Sequence, residues 1–253
     1  MEQSAGDGGA PDPAEYGERV AAVYDEWYPA DEQVGPMVDF LARHAAGGPV
    51  LELGIGTGRI ALPLAARGLA VTGIDASASM VARLRGKDGG SQIAVSIGNF
   101  ADVSAEGGPF RLAYVVFNTF FGLITQAEQL RCFRNVAANL CRGGVFVIEA
   151  FVPDLARFDR GQRVQVDYLS GEQTRFTVSL HDQASQRIHS RLIVTEPGSS
   201  ATYPVEIRYA WPSELDLMAE LAGLQPLGRW GGWLGQPFSS GSASHVSAWT
   251  APG

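Results

Sequence analysis

Apolar residues follow two different rhythms along this chain. Between Pro49 and Phe151, short apolar runs alternate with stretches of helical spacing. The runs predict strands at Pro49–Gly54, Ala70–Asp75, Ile93–Asn99, Leu112–Asn118 and Val145–Phe151. The spaced stretches predict helices at Arg59–Arg67, closed by Gly68, and at about Ala78–Arg85, with Ser77 as N-cap. A third helix, Gln126–Leu140, puts Leu130, Phe133, Val136 and Leu140 on one face and ends at Gly143-Gly144. Continuous apolar strands between helices mean a parallel sheet covered on both faces. Ahead of it, residues 16–45 read as helical, with Val20, Val23 and Trp27, then Val38 and Leu41, broken by Pro29 and Pro36.

After Phe151 the period shortens to two. Segments 163–170, 174–181, 186–195 and 203–210 alternate apolar and polar, with turn signals at Ser170-Gly171, Asp182-Gln183 and Pro197-Gly198. They predict an antiparallel sheet with one solvated face. A helix returns at Pro212–Ala222, closed by Gly223, and strands at Leu227–Trp230 and His245–Trp249 finish the chain. The expected fold is α/β. It is a Rossmann-like, mostly parallel sheet of about seven strands with helices on both faces, plus an antiparallel β insertion after strand five. The expected divisions are a disordered tail at 1–15, a helical lid and ligand-binding sheet at 16–151, the insertion at 152–210, and a closing unit at 211–253.

Composition narrows the function. The 253 residues are 45% apolar, enough for one large core, and the formal charge is −8. An acidic chain argues against nucleic acid as partner, because phosphate neutralisation needs clustered Lys and Arg. Cys132 and Cys141, nine apart in one predicted helix, match neither a disulfide framework nor a metal spacing. They read as free thiols in a reducing cytosol. The N-terminus lacks a basic start and an apolar run, and the longest apolar stretch, near 112–124, is too short to span a bilayer. The expectation is a cytoplasmic protein without membrane or metal.

The chemistry starts at the turn after the first strand. Gly54, Gly56 and Gly58 form a glycine-rich strand-to-helix turn, but Arg59 stands where the dinucleotide fingerprint has its third glycine. No Lys-Ser/Thr pair follows, which excludes a P-loop. Glu52, two residues before the first glycine, opposes a pyrophosphate and suits an ammonium group. Asp75, 21 residues after Gly54, can accept hydrogen bonds from both hydroxyls of a ribose. Together they suit a cationic nucleoside without phosphate, a description that S-adenosylmethionine meets.

At these residues the chain resembles the class I S-adenosylmethionine-dependent methyltransferases. Leu51-Glu-Leu-Gly54-x-Gly56-Thr-Gly58 and Gly73-Ile-Asp75 match the family's first motif and its successor, within a resemblance spanning about 45–151. The resemblance implies that the glycine backbone lies against the methionine part, Glu52 meets the amino group and Asp75 the ribose. Ala76 and Met80 would flank adenine. Gly98-Asn99-Phe100-Ala101-Asp102 is similar to the family's acidic segment after strand three, with Asn99 in place of the acid that meets the adenine amino group. Phe100 and Phe117 join the cofactor set. The aromatic N-terminal stretch implies a lid bringing Tyr24 and Tyr28 to the cofactor and Tyr16 to the acceptor; plain packing is the alternative.

The acceptor is harder to read. Asn118 and Phe121, after strand four, lie where the family presents the methyl group, but the N/D-P-P-Y/F signature of DNA and protein amine methyltransferases is missing. That leaves a small molecule. The order of elements resembles small-molecule methyltransferases of actinobacterial secondary metabolism, including amino-sugar N,N-dimethyltransferases and glycopeptide N-methyltransferases. The former carry a His just after strand four, where this chain has Gly122. Phe151, Phe158, Arg163 and Tyr168 are candidates to line an acceptor pocket under the insertion. Glu149, an acid in an apolar strand, could hold an amine, take a proton or pin an arginine. Of the four histidines, His44, His181 and His189 are expected at the surface and His245 is the candidate base. N-methylation is favoured over O- or C-methylation, a nicotinamide oxidoreductase is the remote alternative, and a homodimer is compatible with an exposed strand edge.

Overall fold

A computed structural model describes residues 12–29 and 31–253. Most of the expected tail, residues 1–11, lies outside that range. The N-terminal stretch forms helices α1 (Glu15–Val20), α2 (Tyr24–Trp27) and α3 (Val34–Ala45). Pro36 does not break the chain as expected. It sits in the first turn of α3, where its missing N–H has no partner to lose.

The central sheet has seven strands. They are β1 (Val50–Leu53), β2 (Val71–Asp75), β3 (Ala94–Ile97), β4 (Phe110–Val115), β5 (Leu140–Phe151), β10 (Gln225–Trp230) and β11 (Ser244–Thr250). Their spatial order is β10-β11-β5-β4-β1-β2-β3. Strands β1 to β5 pair in parallel and β11 is antiparallel to both its neighbours. One face is covered by α3 and α4 (Ala61–Ala66), the other by α6 (Gln126–Asn139) and α7 (Pro212–Leu221). Helix α5 (Ala78–Arg85) starts at the expected cap, where Ser77 Oγ accepts from the Met80 N–H. Helix α6 starts with a reciprocal capping box between Thr125 and Glu128.

Two boundaries differ from the sequence reading. Gly143-Gly144 lie inside β5, because α6 passes directly into the strand at Leu140. Cys141 is therefore a strand residue while Cys132 is buried in α6, and both are free thiols. Strand β4 stops at Val115, and Phe117 and Asn118 turn away with φ of 58° and 62°.

The second sheet is antiparallel, β6-β7-β8-β9: β6 (Gln162–Leu169), β7 (Thr174–Asp182), β8 (Arg187–Glu196) and β9 (Ser199–Arg208). It is tied to the body by a buried polar network. The Arg208 guanidinium donates to Gln129 Oε1 on α6, Gln186 Oε1 and Glu214 Oε1 on α7. Trp27 meets Tyr203 of β9 edge to face at 5.1 Å, so the second sheet also packs on the N-terminal helices.

Candidate active site

The carboxyl ends of the parallel strands share one edge, where open α/β sheets place their sites. At the end of β1, Gly54 and Ile55 donate their N–H groups to Ile74 O of β2. Gly54 has φ 71°, and a Cβ there would stand 2.5 Å from Thr119 Cγ2, so glycine is what lets the turn after β4 approach. Gly58, φ 81°, lies so close to Leu84 of α5 that a Cβ would be 2.3 Å from its Cδ1. The close packing that a dinucleotide fold assigns to its third glycine is thus made one position earlier, by Gly58.

Glu52 is buried on the α3–α4 face, opposite its register partner Tyr114. Burial pushes its carboxyl up to about 8, against the lowering influence of the Tyr114 phenol. Its Oε2 is buried without a hydrogen-bond partner. Asp75 closes β2. Its Oδ2 accepts from Gly56 N at 2.7 Å and its Oδ1 from Ser77 N at 2.8 Å, which fixes the carboxylate beside the glycine turn. Burial raises its pKa and the two amides oppose that rise.

Arg59, which the sequence reading used only to exclude a pyrophosphate, is part of the site. It precedes α4 in a turn, and its guanidinium lies 3.5 Å from the Phe117 ring centroid. One N–H reaches Tyr28 O at 3.3 Å, and Nε is buried without a partner. Its charge acts on Tyr24, Glu52 and Glu149. A turn-borne cation amid acids and phenols is visible only once the fold gathers them.

The N-terminal helices close over this edge. Glu18 of α1 accepts from Ser77 Oγ, Ser79 N and Ser79 Oγ at the start of α5. Asp25 of α2 accepts from Thr57 Oγ1 at 2.6 Å and pairs with Lys87 at 2.8 Å, while Lys87 also donates to Thr57 O. The Tyr24 and Tyr28 rings meet at a tilt with centroids 5.0 Å apart, and the Tyr16 and Tyr28 hydroxyls are 3.4 Å apart. Burial, then the Tyr28 hydroxyl, raises the Tyr16 phenol far above its ordinary value, so it stays neutral.

Beyond the phenols lies a cavity of about 330 Å³ bounded by Tyr16, Trp27, Tyr28, Arg175 and Thr177. A recess of about 170 Å³ adjoins it, shares Asp167, and reaches Phe151, Phe158 and Arg163. Tyr168 does not line either space; it supports Arg175, whose guanidinium is 4.6 Å from its ring.

Several expected site residues have other partners. Glu149 Oε2 accepts from Phe117 N, which holds the left-handed turn after β4. Asn118 Oδ1 accepts from Phe151 N at 2.7 Å and pins the ends of β4 and β5 together. Phe121 is fully buried, packed edge to face on Phe151, and does not face the cavity. Asn99 Oδ1 closes a turn onto Ala101 N, and Phe100 packs on the core beside the glycine turn. Met80 is buried beneath α1 with Val20 and Ala21, while half-buried Ala76 leads from β2 into the α5 cap.

The histidines lie elsewhere. His245, the expected base, is fully buried on the α6–α7 face, the side of β5 opposite Glu149, and bonds Ser247 Oγ. Strand alternation decides that: His245 pairs with Ala150, not with Glu149. Burial, then Arg229, lowers its pKa to about 4. His181 is buried, not at the surface, bonded to the Tyr209 hydroxyl. His44 stacks on Phe40 at 4.4 Å, and His189 is exposed.

The site therefore offers an unpartnered buried carboxylate oxygen for an ammonium, an unpartnered guanidinium N–H for a carboxylate, and a fixed acid for a diol. These are the functional groups of S-adenosylmethionine. Among the described residues no helix is long and apolar enough to cross a membrane, and no group of His, Cys, Asp and Glu is placed to hold a metal. A family model described as a methyltransferase domain matches residues 50–144. The CcbJ methyltransferase from Streptomyces caelestis is 34% identical with a TM-score of 0.89, over 96% of this chain and 100% of that one. The cypemycin N-terminal methyltransferase of Streptomyces sp is 29% identical over 236 residues, 91% of this chain and 95% of that protein. DesVI from Streptomyces venezuelae shares the fold, at 20% identity and a TM-score of 0.67 over 92% of this chain and 98% of that one. This chain belongs to the class I S-adenosylmethionine-dependent methyltransferases.

Proposed function

We propose that this enzyme methylates an amine nitrogen of a small natural-product acceptor. The observation that carries the reading is the lining of the cavity: two phenols and an indole, no histidine among the described residues that line it, and a single acid, Asp167, already engaged by Thr177 Oγ1. An amine deprotonated in solution needs alignment and desolvation but no base, whereas an alcohol needs one. The high Tyr16 pKa removes a phenolate from that role. The names of two similar proteins support the same chemistry: the cypemycin N-terminal methyltransferase and the sugar N-methyltransferase KedS8 from Streptoalloteichus sp.

In this reading Glu52 receives the donor's ammonium, Arg59 its carboxylate and Asp75 its ribose. The bound donor supplies an activated methyl: the acceptor lone pair forms the N–C bond as the S–C bond breaks and its electron pair returns to sulfur. The proton that the new ammonium then sheds leaves through the cavity to solvent. Tyr24 and Tyr28 cover the donor, and the helices that carry them exclude water. Exposed Val164, Val166 and Leu169 on the edge strand β6 support a homodimer, and two free thiols support a reducing cytoplasm.

Isothermal titration with S-adenosylhomocysteine and with NADH tests the cofactor assignment, and labelled methyl transfer into a library of amines, phenols and alcohols tests the acceptor. Asp75→Ala is expected to weaken S-adenosylhomocysteine at least tenfold, about 1.4 kcal/mol. Affinity within about threefold of wild type removes Asp75 from the ribose. Transfer confined to oxygen or carbon acceptors overturns the N-methyl reading.

A further inference from the structure

The acceptor cavity carries a charge that the proposed N-methylation does not use. The chain as a whole has a formal charge of −8. The charged side chains lining the cavity and its recess are nevertheless Arg157, Arg163 and Arg175 against the single acid Asp167. Asp167 is engaged by Thr177 Oγ1 across the β6–β7 pair. Among the described residues, none of the three arginines lies in a salt bridge, whereas Arg208 and Arg229 each have a carboxylate partner.

Arg175 is the best organised of the three. Its guanidinium lies 4.6 Å from the Tyr168 ring centroid and 5.6 Å from that of Trp27, and its Nε is buried without a partner. Aromatic contacts fix the guanidinium and leave its N–H edge to donate. A planar fork of donors with no acceptor matches the two oxygens of a carboxylate or phosphate. The same cavity holds Tyr16 and Tyr28 beside the cofactor edge, so an anion on Arg175 and a methyl acceptor at the phenols belong to one molecule. About 330 Å³ is within the range of small-molecule sites.

We infer that the acceptor is an amine carrying an oxyanion, held by Arg175 at the far end of the cavity, with Arg163 and Arg157 in the adjoining recess. The inference rests on the N-methyltransferase reading and adds the substrate's charge to it. Arg175 acts as a specificity-determining residue: it selects the acceptor and holds its nitrogen toward the methyl group.

The test uses the full chain saturated with S-adenosylhomocysteine, titrated with N-benzylglycine, with its uncharged amide N-benzylglycinamide, and with inorganic pyrophosphate. The acid is expected to bind at least tenfold more tightly than the amide. Arg175→Met is expected to abolish that preference, and Arg175→Lys to restore only part of it, since an ammonium keeps the charge without the fork. Both variants should bind S-adenosylhomocysteine within about threefold of wild type, which reports an intact fold and donor site. A preference for pyrophosphate over the acid, also lost in Arg175→Met, identifies the oxyanion as phosphate; the reverse identifies a carboxylate. Equal binding of acid and amide without pyrophosphate binding overturns the inference, as does a preference that survives Arg175→Met. No binding of either anion up to about 10 mM overturns it too, since a built site should exceed roughly 3 kcal/mol. Failure of S-adenosylhomocysteine to bind wild type refutes the donor assignment instead, and the two failures are read in separate titrations.

Discussion

Glu52 combines complete burial with a carboxylate oxygen that has no partner, and that combination has a pH signature. Its native pKa of about 8 lies above the ordinary 4.5, so between those values folding takes up a proton. Stability contributed by this group is therefore highest below pH 4.5, falls as pH rises toward 8, and is constant above. Glu52→Gln is expected to leave Tm near wild type at pH 5 and raise it by at least about 2 °C at pH 8.5, read by calorimetry. The donor's ammonium needs the ionised form. Wild-type affinity for S-adenosylhomocysteine should accordingly rise between pH 6 and 8, while Glu52→Gln binds more weakly with a flatter profile. A parallel rise in the variant shows that another group titrates. The positions of Glu52 and Asp75 beside the glycine turn were legible in the sequence because strand ends and glycine turns fix them through local spacing. Arg59 was not, because its role depends on Phe117 and Tyr28, which come from distant parts of the chain.

At the scale of elements, α1 and α2 are too short to be stable alone and hold their place through side-chain latches. Glu18 binds the start of α5, and Asp25 binds Lys87 and Thr57 beside the glycine turn. Gly17 lets α1 approach: a Cβ there would stand 2.5 Å from Ser77 Cβ. In the proposed reading the donor enters past these helices. The Asp25–Lys87 pair is partly exposed and contributes less than about 1 kcal/mol. Lys87→Met is therefore expected to leave global stability within that margin and speed S-adenosylhomocysteine release up to about fivefold by stopped-flow. An unchanged release rate means that the latch does not gate the site. The aromatic spacing of residues 16–28 marked this stretch as helical, yet its break into two helices depended on contacts with α5 and β9 that no local pattern encodes.

Across the whole molecule, the proposed acceptor cavity forms where the four-stranded sheet meets the N-terminal helices, so it depends on how that sheet is joined to the body. Arg208, Gln129, Gln186 and Glu214 make that joint from β9, α6, the β7–β8 turn and α7, and Arg208 is 6% exposed. Removing one member of a buried ion pair leaves the other uncompensated. Arg208→Met is expected to cost roughly 3–5 kcal/mol in denaturant unfolding, with Glu214→Leu in the same chain recovering part of it. A loss below about 1 kcal/mol shows that the joint is made by apolar packing instead. If Arg175 holds the acceptor as inferred, acceptor affinity should fall in Arg208→Met more than S-adenosylhomocysteine affinity does.

By itself the sequence determined the two sheets, the parallel run of the first five strands, the antiparallel second sheet, the glycine turn and the places of Glu52 and Asp75 beside it. All of these follow from periodicity and local spacing. It misplaced His245 and Phe121, because one-residue alternation decides which face of a strand a side chain takes and packing decides which aromatic is core. Glu149 and Asn118 stand at the sheet edge where expected, but the tertiary structure turned them to backbone amides of the neighbouring strand end. Arg59 and Arg175 became legible only when the lid and the second sheet closed over them. The residues of the proposed acceptor cavity lie far apart in the chain, and their meeting is a property of packing between elements rather than of any one of them.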